Sequence, residues 1–256
     1  MSIYNVNGEE IIVSGGSIYN YDKFSGKKLV VDGNSLTTSI NWARYTADLL
    51  SMTLTNLARG GGGIVENAGD TMADIQTYVG STFPSEADVI ILQGDTNVIR
   101  NGNASDQMDG SSPQTTWTAK MNYLLRCLRA KYPNVLIVMT PDSIRYNSAF
   151  KTGNSSNPYD ITLNVDNRNA MKSVADYNSL CFWEYDWSTP FNPNHLDNYY
   201  SKAGDPTYPS DSQDYVHPSP NSFARAKGRA CAHFMAGLVY DPAAPNGTAE
   251  NWTSYI

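Results

Sequence analysis

Short apolar runs of strand length alternate with segments of helical periodicity along most of this 256-residue chain. This alternation constrains the fold most, because strands separated by helices pair in parallel, whereas strands in series join through hairpins. The expected strands are KLVVD, MTLTNLA, ADVIILQG, NVLIVMT and SLCFWEY. The expected helices cover residues 40–51, 71–80, 115–132, 163–177 and 220–238. The pattern therefore predicts an α/β protein in which helices cover a parallel sheet.

The chain is predicted to form a single domain over residues 1–256, because its length suits one well-buried core and no linker divides it. Residues 1–26 are a polar lead-in, and residues 98–114 and 186–216 are long and irregular. Loops of more than about 12–15 residues in a compact domain are usually functional or disordered. Segment 186–216 is rich in aromatic residues, which favours a functional role.

Composition argues against two classes of partner. The formal charge of −7, with no cluster of Lys and Arg, argues against nucleic acid, whose binding depends on dense positive charge. No apolar run approaches the roughly 20 residues that span a bilayer, so no membrane insertion is expected. Cys127, Cys181 and Cys231 lie in apolar contexts without paired spacing, and they are predicted to be buried free thiols.

The first residues, MSIYNVNGEEIIVSGGS, lack the basic and apolar regions of a secretory signal peptide. Either the protein does not use the Sec route by itself, or a leader has been removed. The Tyr-, Asn- and Gly-rich composition and the lead-in would suit a virion or multidomain protein, so an extracellular or virion-associated location is favoured over a cytoplasmic one. The oligomeric state stays open.

The junction VVDGNSLTT has two interpretations. An Asp-Gly pair between apolar runs is a strong hairpin signal. However, Trp42, Tyr45 and Leu49 recur at helical spacing beyond it. The residues suited to cap that helix are Thr37, Thr38 and Ser39. The period therefore predicts a strand, a tight turn and a helix, with Ser35 just beyond the carboxyl end of the strand.

Other chemically useful residues also follow predicted strands. Ligands of an open parallel sheet bind beyond the carboxyl ends of its strands. The glycines of NLARGGGGI follow the second strand, and Asn97 follows the third. Near the end of the chain, DYVHPSP places Asp214 three residues before His217, directly ahead of the last helix. These residues are therefore expected to meet near Ser35.

A nucleophilic serine needs a base, a carboxylate that orients the base, and donors for the developing oxyanion. The chain has three histidines, and His195 and His233 are less well placed than His217. Each residue alone also has a structural interpretation. Ser35 and Asn97 suit turns, His217 suits a helix cap, and a glycine run suits a flexible loop.

Taken together, these motifs resemble the SGNH hydrolases, also called GDSL esterases and lipases, in four blocks from about Lys28 to the last helix. The resemblance implies a three-layer α/β/α sandwich with a central, mostly parallel five-stranded sheet, the flavodoxin-like SGNH fold. VVDGNSLTT is similar to the GDS block and makes Ser35 the nucleophile. DYVHPS is similar to D-x-x-H-P and gives Asp214 and His217 the other triad roles.

The resemblance also implies an oxyanion hole. Its donors would be the N–H groups of Ser35 and of a glycine, together with the side chain of Asn97, from a block similar to G-x-N-D. Counting from Asn56 favours Gly61, and Gly69 in ENAGDT is the rival. Two residues depart from the family pattern, since Asn34 and Val98 replace its acidic residues. We expect altered local hydrogen bonding there rather than loss of chemistry.

The implied activity is hydrolysis of carboxylic esters on a small molecule or polysaccharide, with no cofactor or metal. The long loops mix polar residues with aromatic residues that suit sugar faces, and the candidate substrate-binding residues are Tyr146, Trp187, Tyr199 and Tyr200. This mixture favours an O-acetyl esterase acting on carbohydrate, such as a cell-surface polysaccharide. The aromatic residues could equally pack the loops onto the domain.

Three alternatives remain at this stage. The chain could be a glycan-binding SGNH module of a phage tail or adhesin with little or no turnover, or a short-chain lipase or thioesterase. A metal site would have to use His195, Asp197, Asp205 and Asp211, which lack any recognisable ligand spacing.

Overall fold

The computed structural model describes residues 3–4, 10–14, 17–19, 21–38, 41–94, 101–108, 116–142, 162–185 and 220–238. Residues 3–19, 162–164 and 220–223 are described within these ranges by their backbone alone.

The main sheet has five parallel strands, whose positions follow the expected apolar runs. The strands are β4 (Lys28–Asp32), β5 (Thr53–Asn56), β6 (Val89–Gln93), β7 (Leu136–Thr140) and β8 (Cys181–Phe182). Their order is β5-β4-β6-β7-β8, and each neighbouring pair is parallel. The chain moves from β4 outward to β5 and then returns to β6 on the other side of β4. The strand order therefore reverses between β4 and β6, where ligands of such sheets bind.

The described residues include a 3-10 helix over Asp22–Phe24 and seven α-helices. The α-helices are α1 (Ser35–Thr38), α2 (Trp42–Leu49), α3 (Ile64–Ala68), α4 (Met72–Ser81), α5 (Trp117–Lys131), α6 (Thr162–Tyr177) and α7 (Pro220–Gly237). All five expected helices are confirmed with small shifts of their ends, whereas α1 and α3 were not predicted. Both are only one turn long, which is too short for periodicity to reveal.

The helices cover both faces of the sheet, which confirms the three-layer α/β/α arrangement. On one face, Val30 and Ile90 pack against α3, α4, α5 and α6. On the other face, Val31 and Ile91 pack against α1, α2 and α7. Successive strand residues point to opposite faces, so strands buried on both sides need almost continuous apolar sequence.

A close contact between α2 and α7 fixes the last helix against the sheet. A Cβ atom on Gly228 would lie 2.5 Å from Cβ of Tyr45 and 2.7 Å from the carbonyl oxygen of Trp42, so only glycine permits this approach. The Thr46 hydroxyl donates to the carbonyl of Gly228 over 3.1 Å. This contact fixes the position of α7, which follows directly after the Asp214/His217 motif in the sequence.

The predicted apolar stripe of α5 is confirmed. Its buried residues are Trp117, Met121, Leu124, Leu125, Leu128 and Tyr132. The three cysteines are free thiols as expected, but only Cys231 is buried, and Cys127 and Cys181 are half-buried. Neither of these two lies on a fully covered surface, because Cys127 is near the end of α5 and Cys181 begins the two-residue edge strand β8.

The structure shows strands in the lead-in that were not predicted. The polar lead-in contains a small antiparallel sheet of β1 (Ile3–Tyr4), β2 (Glu10–Ser14) and β3 (Ser17–Tyr19). Ser14 pairs with Ser17, and the two intervening residues of the sequence are Gly-Gly, a hairpin signal that was overlooked.

The expected N-caps of α2 were wrong. Thr37 and Thr38 lie inside α1 and do not cap a later helix, and Ser39 lies outside the described residues. The residue before α2 is Asn41, with a left-handed φ of 58° that asparagine tolerates better than most residues. Among the described helices, none has the length and apolar composition of a membrane-spanning segment.

Candidate active site

The turn after β4 presents Ser35 at the point where the strand order reverses. Strand β4 ends at Asp32, and α1 begins at Ser35 itself. The Asn34 side-chain oxygen accepts from the N–H of Leu36 over 2.9 Å, which starts the helix as a capping residue would. Asn34 and Leu36 are fully buried, whereas Ser35 between them is half-buried. The hairpin interpretation is therefore excluded, and the serine is the residue of this turn that solvent can reach.

Gly33 allows the turn to pack tightly against β6. A Cβ atom there would lie 2.5 Å from the hydroxyl oxygen of Thr37 and 3.0 Å from the carbonyl oxygen of Gln93. The Gln93 side-chain oxygen accepts from the Thr37 hydroxyl (2.6 Å) and from the indole N–H of Trp42 (2.9 Å). One fully buried amide thus joins β6 to α1 and α2. This network holds the helix that carries Ser35 in a fixed position.

Asn34 departs from the family pattern in a way that the structure explains. Its side-chain amide donates to Oδ2 of Asp142 over 2.7 Å, and both residues are buried. Asp142 follows β7, whose last residue is Thr140. An aspartate at position 34 would place two carboxylates in contact in a buried site, whereas an asparagine supplies the donor that a buried carboxylate needs. Asn34 thus supplies a hydrogen-bond donor at a position where the family pattern has an acidic residue, and Val98 lies outside the described residues.

A second buried carboxylate, Asp32, lies at the base of the same turn. It is fully buried and accepts hydrogen bonds from the Gly33 N–H (2.8 Å) and the Tyr78 hydroxyl (2.9 Å). Burial raises the pKa of Asp32 to about 7, against the opposing effects of the hydrogen bonds from Tyr78, Gly33 and Asn67 and of the charge of Arg59. Burial and the neighbouring carboxylate also raise the pKa of Tyr78, so its hydroxyl keeps the proton that it donates.

The glycine-rich loop runs beside the turn that presents Ser35. Beyond β5, the N–H of Leu57 donates to the carbonyl of Val31 (2.8 Å), and that of Arg59 donates to the carbonyl of Gly33 (3.0 Å). Gly61 follows in an exposed stretch with a φ of 76°, a backbone conformation that favours glycine. The loop then enters α3, which buries Ile64 in the core and so anchors the loop.

Gly69, the rival glycine, occupies a different position. It follows α3, and its N–H donates to the carbonyl of Val65 over 3.1 Å. Its φ of 94° marks a tight connection to α4, which begins with a capping box between Thr71 and Asp74. A Cβ atom on Gly69 would lie 2.5 Å from Cβ of Asp74. This glycine therefore serves the connection between two helices.

Solved structures share this arrangement of strands and helices. A protein from Slackia heliotrinireducens named as an SGNH hydrolase is 18% identical, with a TM-score of 0.52 over 83% of this chain and 98% of its own. A carbohydrate acetylesterase family member from Sinorhizobium meliloti is 14% identical, with a TM-score of 0.52 over 83% of this chain and 100% of its own. This chain has the SGNH hydrolase fold.

A third similar structure, a carbohydrate esterase family 2 enzyme with a carbohydrate binding domain from Corynascus thermopiles, is 14% identical, with a TM-score of 0.51. It aligns over 90% of this chain and 69% of its own. No protein-family model and no curated protein sequence matches the chain. At these identities, the likeness establishes the fold alone.

The structure describes only part of the site predicted from the SGNH motifs. Ser35 and Gly61 follow neighbouring strands β4 and β5 at one edge of the sheet, and the loop that contains Gly61 is bonded to the turn before Ser35. The other predicted site residues lie outside the described residues, namely Asn97, Asp214, His217, Tyr146, Trp187, Tyr199 and Tyr200. The four residues of the alternative metal set, His195, Asp197, Asp205 and Asp211, lie outside them as well.

Four polar residues that support the turn before Ser35 were not predicted from the sequence, namely Asp32, Asn67, Gln93 and Asp142. Asp32, Gln93 and Asp142 stand at or just beyond the ends of strands, and their polar character next to apolar runs was a signal. Asn67 lies in α3, a helix that was not predicted. Its role depends on a contact with Gly33 that no local pattern reveals.

Proposed function

We propose that this protein is a serine esterase that hydrolyses carboxylic esters. Oγ of Ser35 attacks the ester carbonyl, His217 takes its proton, and Asp214 orients the imidazole. The N–H groups of Ser35 and Gly61 and the side-chain amide of Asn97 stabilise the oxyanion. His217 then protonates the leaving alcohol, and a water molecule that His217 deprotonates releases the acid from the acyl-enzyme.

The position of Ser35 is the observation that carries this proposal. The serine stands at the carboxyl end of β4, where the strand order reverses, and it is the half-buried residue between two fully buried ones. Its turn is tied to β6 by Gln93 and to the glycine loop by the hydrogen bond from Arg59 to Gly33. A serine that merely capped a helix would not need this support on two sides.

Gly61 is favoured over Gly69 as the oxyanion glycine. The N–H of Gly69 is already bonded to the carbonyl of Val65, so it is not available to a substrate oxygen. Gly61 lies two residues after Arg59, whose N–H bonds the turn that presents Ser35. An oxyanion donor has to lie within about 2.7–3.1 Å of the developing charge. The course of the loop beside the turn supports this assignment.

The proposal is tested by replacing the nucleophile. Ser35→Ala should lower hydrolysis of p-nitrophenyl acetate by about 10⁴-fold or more, because it removes the covalent step. The matched control is Ser81→Ala, which removes an exposed serine hydroxyl bonded to the carbonyl of Thr77 in α4. A fluorophosphonate should label the wild type on Ser35, as mass spectrometry of the adduct would show. Unchanged hydrolysis by well-folded Ser35→Ala would refute the mechanism.

The proposed substrate is an O-acetylated carbohydrate, such as a cell-surface polysaccharide. Two of the solved structures that share the fold are carbohydrate esterases by name. The aromatic and polar composition of the loops supports the same substrate class, since aromatic faces stack on sugar rings and polar side chains bind hydroxyl groups. Tyr146, Trp187, Tyr199 and Tyr200 are the proposed contacts.

A substrate panel separates this class from the alternatives. Acetylated glycans should be turned over with higher kcat/KM than esters of medium-chain acids or acyl thioesters. A clear preference for the longer acyl chains would refute the carbohydrate assignment and favour a lipase. Retention of a glycan with no release of acetate would instead favour a binding module.

A further inference from the structure

We propose that Asn67 is a positioning residue. It holds the nucleophile turn (residues 32–35) and the glycine loop (residues 57–63) in register, so that both halves of the oxyanion hole face the same substrate oxygen. This inference rests on the proposed esterase function. It concerns a side chain on α3 that the mechanism does not otherwise use.

The side chain of Asn67 lies between the two backbone segments. Its amide nitrogen donates to the carbonyl of Gly33 over 3.3 Å, two residues before Ser35. Its side-chain oxygen approaches the loop so closely that a Cβ atom on Gly62 would lie 2.4 Å from it. One amide group therefore contacts the nucleophile turn on one side and the residue next to Gly61 on the other.

The side chain of Asn67 also bonds to a buried polar network around Asp32. Asn67 also donates a hydrogen bond to the carboxylate of Asp32, which accepts from Gly33 and Tyr78 as well. The helix that carries Asn67 is anchored by Ile64, Val65 and Ala68, all of which are buried. The amide thus has little freedom to leave its place. Rigid support of this kind is what an active-site loop needs to hold its geometry within about 0.5 Å.

The carbonyl of Gly33 receives two donors, the N–H of Arg59 at 3.0 Å and the amide of Asn67 at 3.3 Å. The Arg59 bond comes from the start of the loop, and the Asn67 bond comes from beyond its end. The loop is therefore bonded to the turn on both sides of Gly61. Without Asn67, only the first of these bonds would remain, and the glycine could move relative to Ser35.

The test compares Asn67→Leu, which is close in size but lacks the amide nitrogen and oxygen, with the wild type and with a matched control. The control is Asn178→Leu, which removes a half-buried amide bonded to the side chain of Asn122 (2.7 Å) and the carbonyl of Val174 (2.9 Å). Asn178 lies just before β8, at the opposite edge of the sheet from Ser35. Measurements are kcat and KM for p-nitrophenyl acetate, the rate of fluorophosphonate labelling, and Tm.

Asn67→Leu should lower kcat by about 10- to 100-fold and slow labelling by a similar factor, as expected of a displaced oxyanion donor, while KM stays within about threefold. Asn178→Leu should lower Tm but leave kcat unchanged. If Asn67→Leu does not fold, Asn67→Ser, whose hydroxyl is too short to reach Gly33, is judged by the same criterion. A folded Asn67 variant with wild-type kcat and labelling rate would overturn the inference. Activity that survives Ser35→Ala would instead refute the esterase proposal itself.

Discussion

Replacing Asn34 by the aspartate of the family pattern should destabilise this protein in a pH-dependent way. Its amide lies 2.7 Å from the Asp142 carboxylate in a buried site, so Asn34→Asp replaces a donor by a second negative charge. The bond from Leu36 to the side-chain oxygen of residue 34 would persist, because an aspartate also accepts it. The change therefore alters the contact with Asp142 and keeps the bond to Leu36.

The size of this destabilisation follows from comparing the repulsion between two carboxylates with the free energy of keeping one of them protonated. Two unit charges 2.7 Å apart repel each other by about 6 kcal/mol at an effective dielectric constant of about 20. Keeping one carboxyl protonated at pH 7 costs about 4 kcal/mol, since an ordinary aspartate has a pKa of about 3.9 and each unit is worth about 1.4 kcal/mol. Protonation is cheaper, so the folded variant should take up a proton, and the resulting acid can donate to the other carboxylate.

Stability of Asn34→Asp should therefore fall as pH rises, because the unfolded chain releases a proton that the folded pair retains. Relative to the wild type, we expect a loss of up to about 4 kcal/mol at pH 7 and about 1.5 kcal/mol at pH 5. Urea unfolding at the two pH values measures both differences. The double variant Asn34→Asp/Asp142→Asn exchanges donor and acceptor, and it should recover a large part of the loss at pH 7.

Two results would refute this reasoning. One is a loss of stability that is equal at both pH values, which would mean that no proton is taken up. The other is an exchanged pair that is no more stable at pH 7 than Asn34→Asp alone, which would mean that the contact with Asp142 is not the cause.

Two further predictions concern stability. Burial raises the pKa of Asp32 to about 7, so the folded protein retains a proton that the unfolded chain releases. The free energy of unfolding of the wild type should therefore fall by up to about 4 kcal/mol as pH rises from about 4 to 7. Asp32→Asn should flatten this part of the stability profile in urea unfolding, and an unchanged slope would contradict the assignment. The Lys131 ammonium group donates to the carbonyls of Val79 (2.8 Å), Gly80 (3.2 Å) and Phe83 (2.8 Å) around the end of α4. Lys131→Met should therefore lower the free energy of unfolding by about 1–2 kcal/mol. The control Lys172→Met removes an exposed ion pair with Asp176 within one helix, and it should lower the free energy of unfolding by about 0.5 kcal/mol or less. Equal losses in the two variants would argue against the capping role of Lys131.

Much of the architecture could be predicted because its signals are local. The strand β7 is continuously apolar, since it is buried on both faces, and the stripe on α5 repeats at helical spacing. The helical period after Ser35 correctly replaced the hairpin suggested by Asp-Gly. The one-turn helices α1 and α3 were missed because a single turn has too few residues to show a period.

The candidate site was predicted in part. The sequence motifs indicated Ser35 and the neighbouring glycine loop, and the structure brings both to the same edge of the sheet. The roles of Asn97, Asp214 and His217 stay predictions. Polar residues at the strand ends were a signal, but the partners of Asp142 and Gln93 could not be inferred, because each acts on a segment far away in the chain. Asn34 and Asp142 are 108 residues apart, and Thr37 and Gln93 are 56 apart.

By itself, the sequence determined the alternation of strands and helices, the parallel sheet and the position of the serine, because backbone periodicity and turn chemistry act between near neighbours. Only the tertiary structure decided what surrounds that serine. It placed Asp142 against Asn34 and Gln93 against Thr37, and it set Asn67 between Gly33 and Gly62. A buried polar group needs a partner, but the partner is chosen by which strand ends meet, and that depends on the order of strands in the sheet.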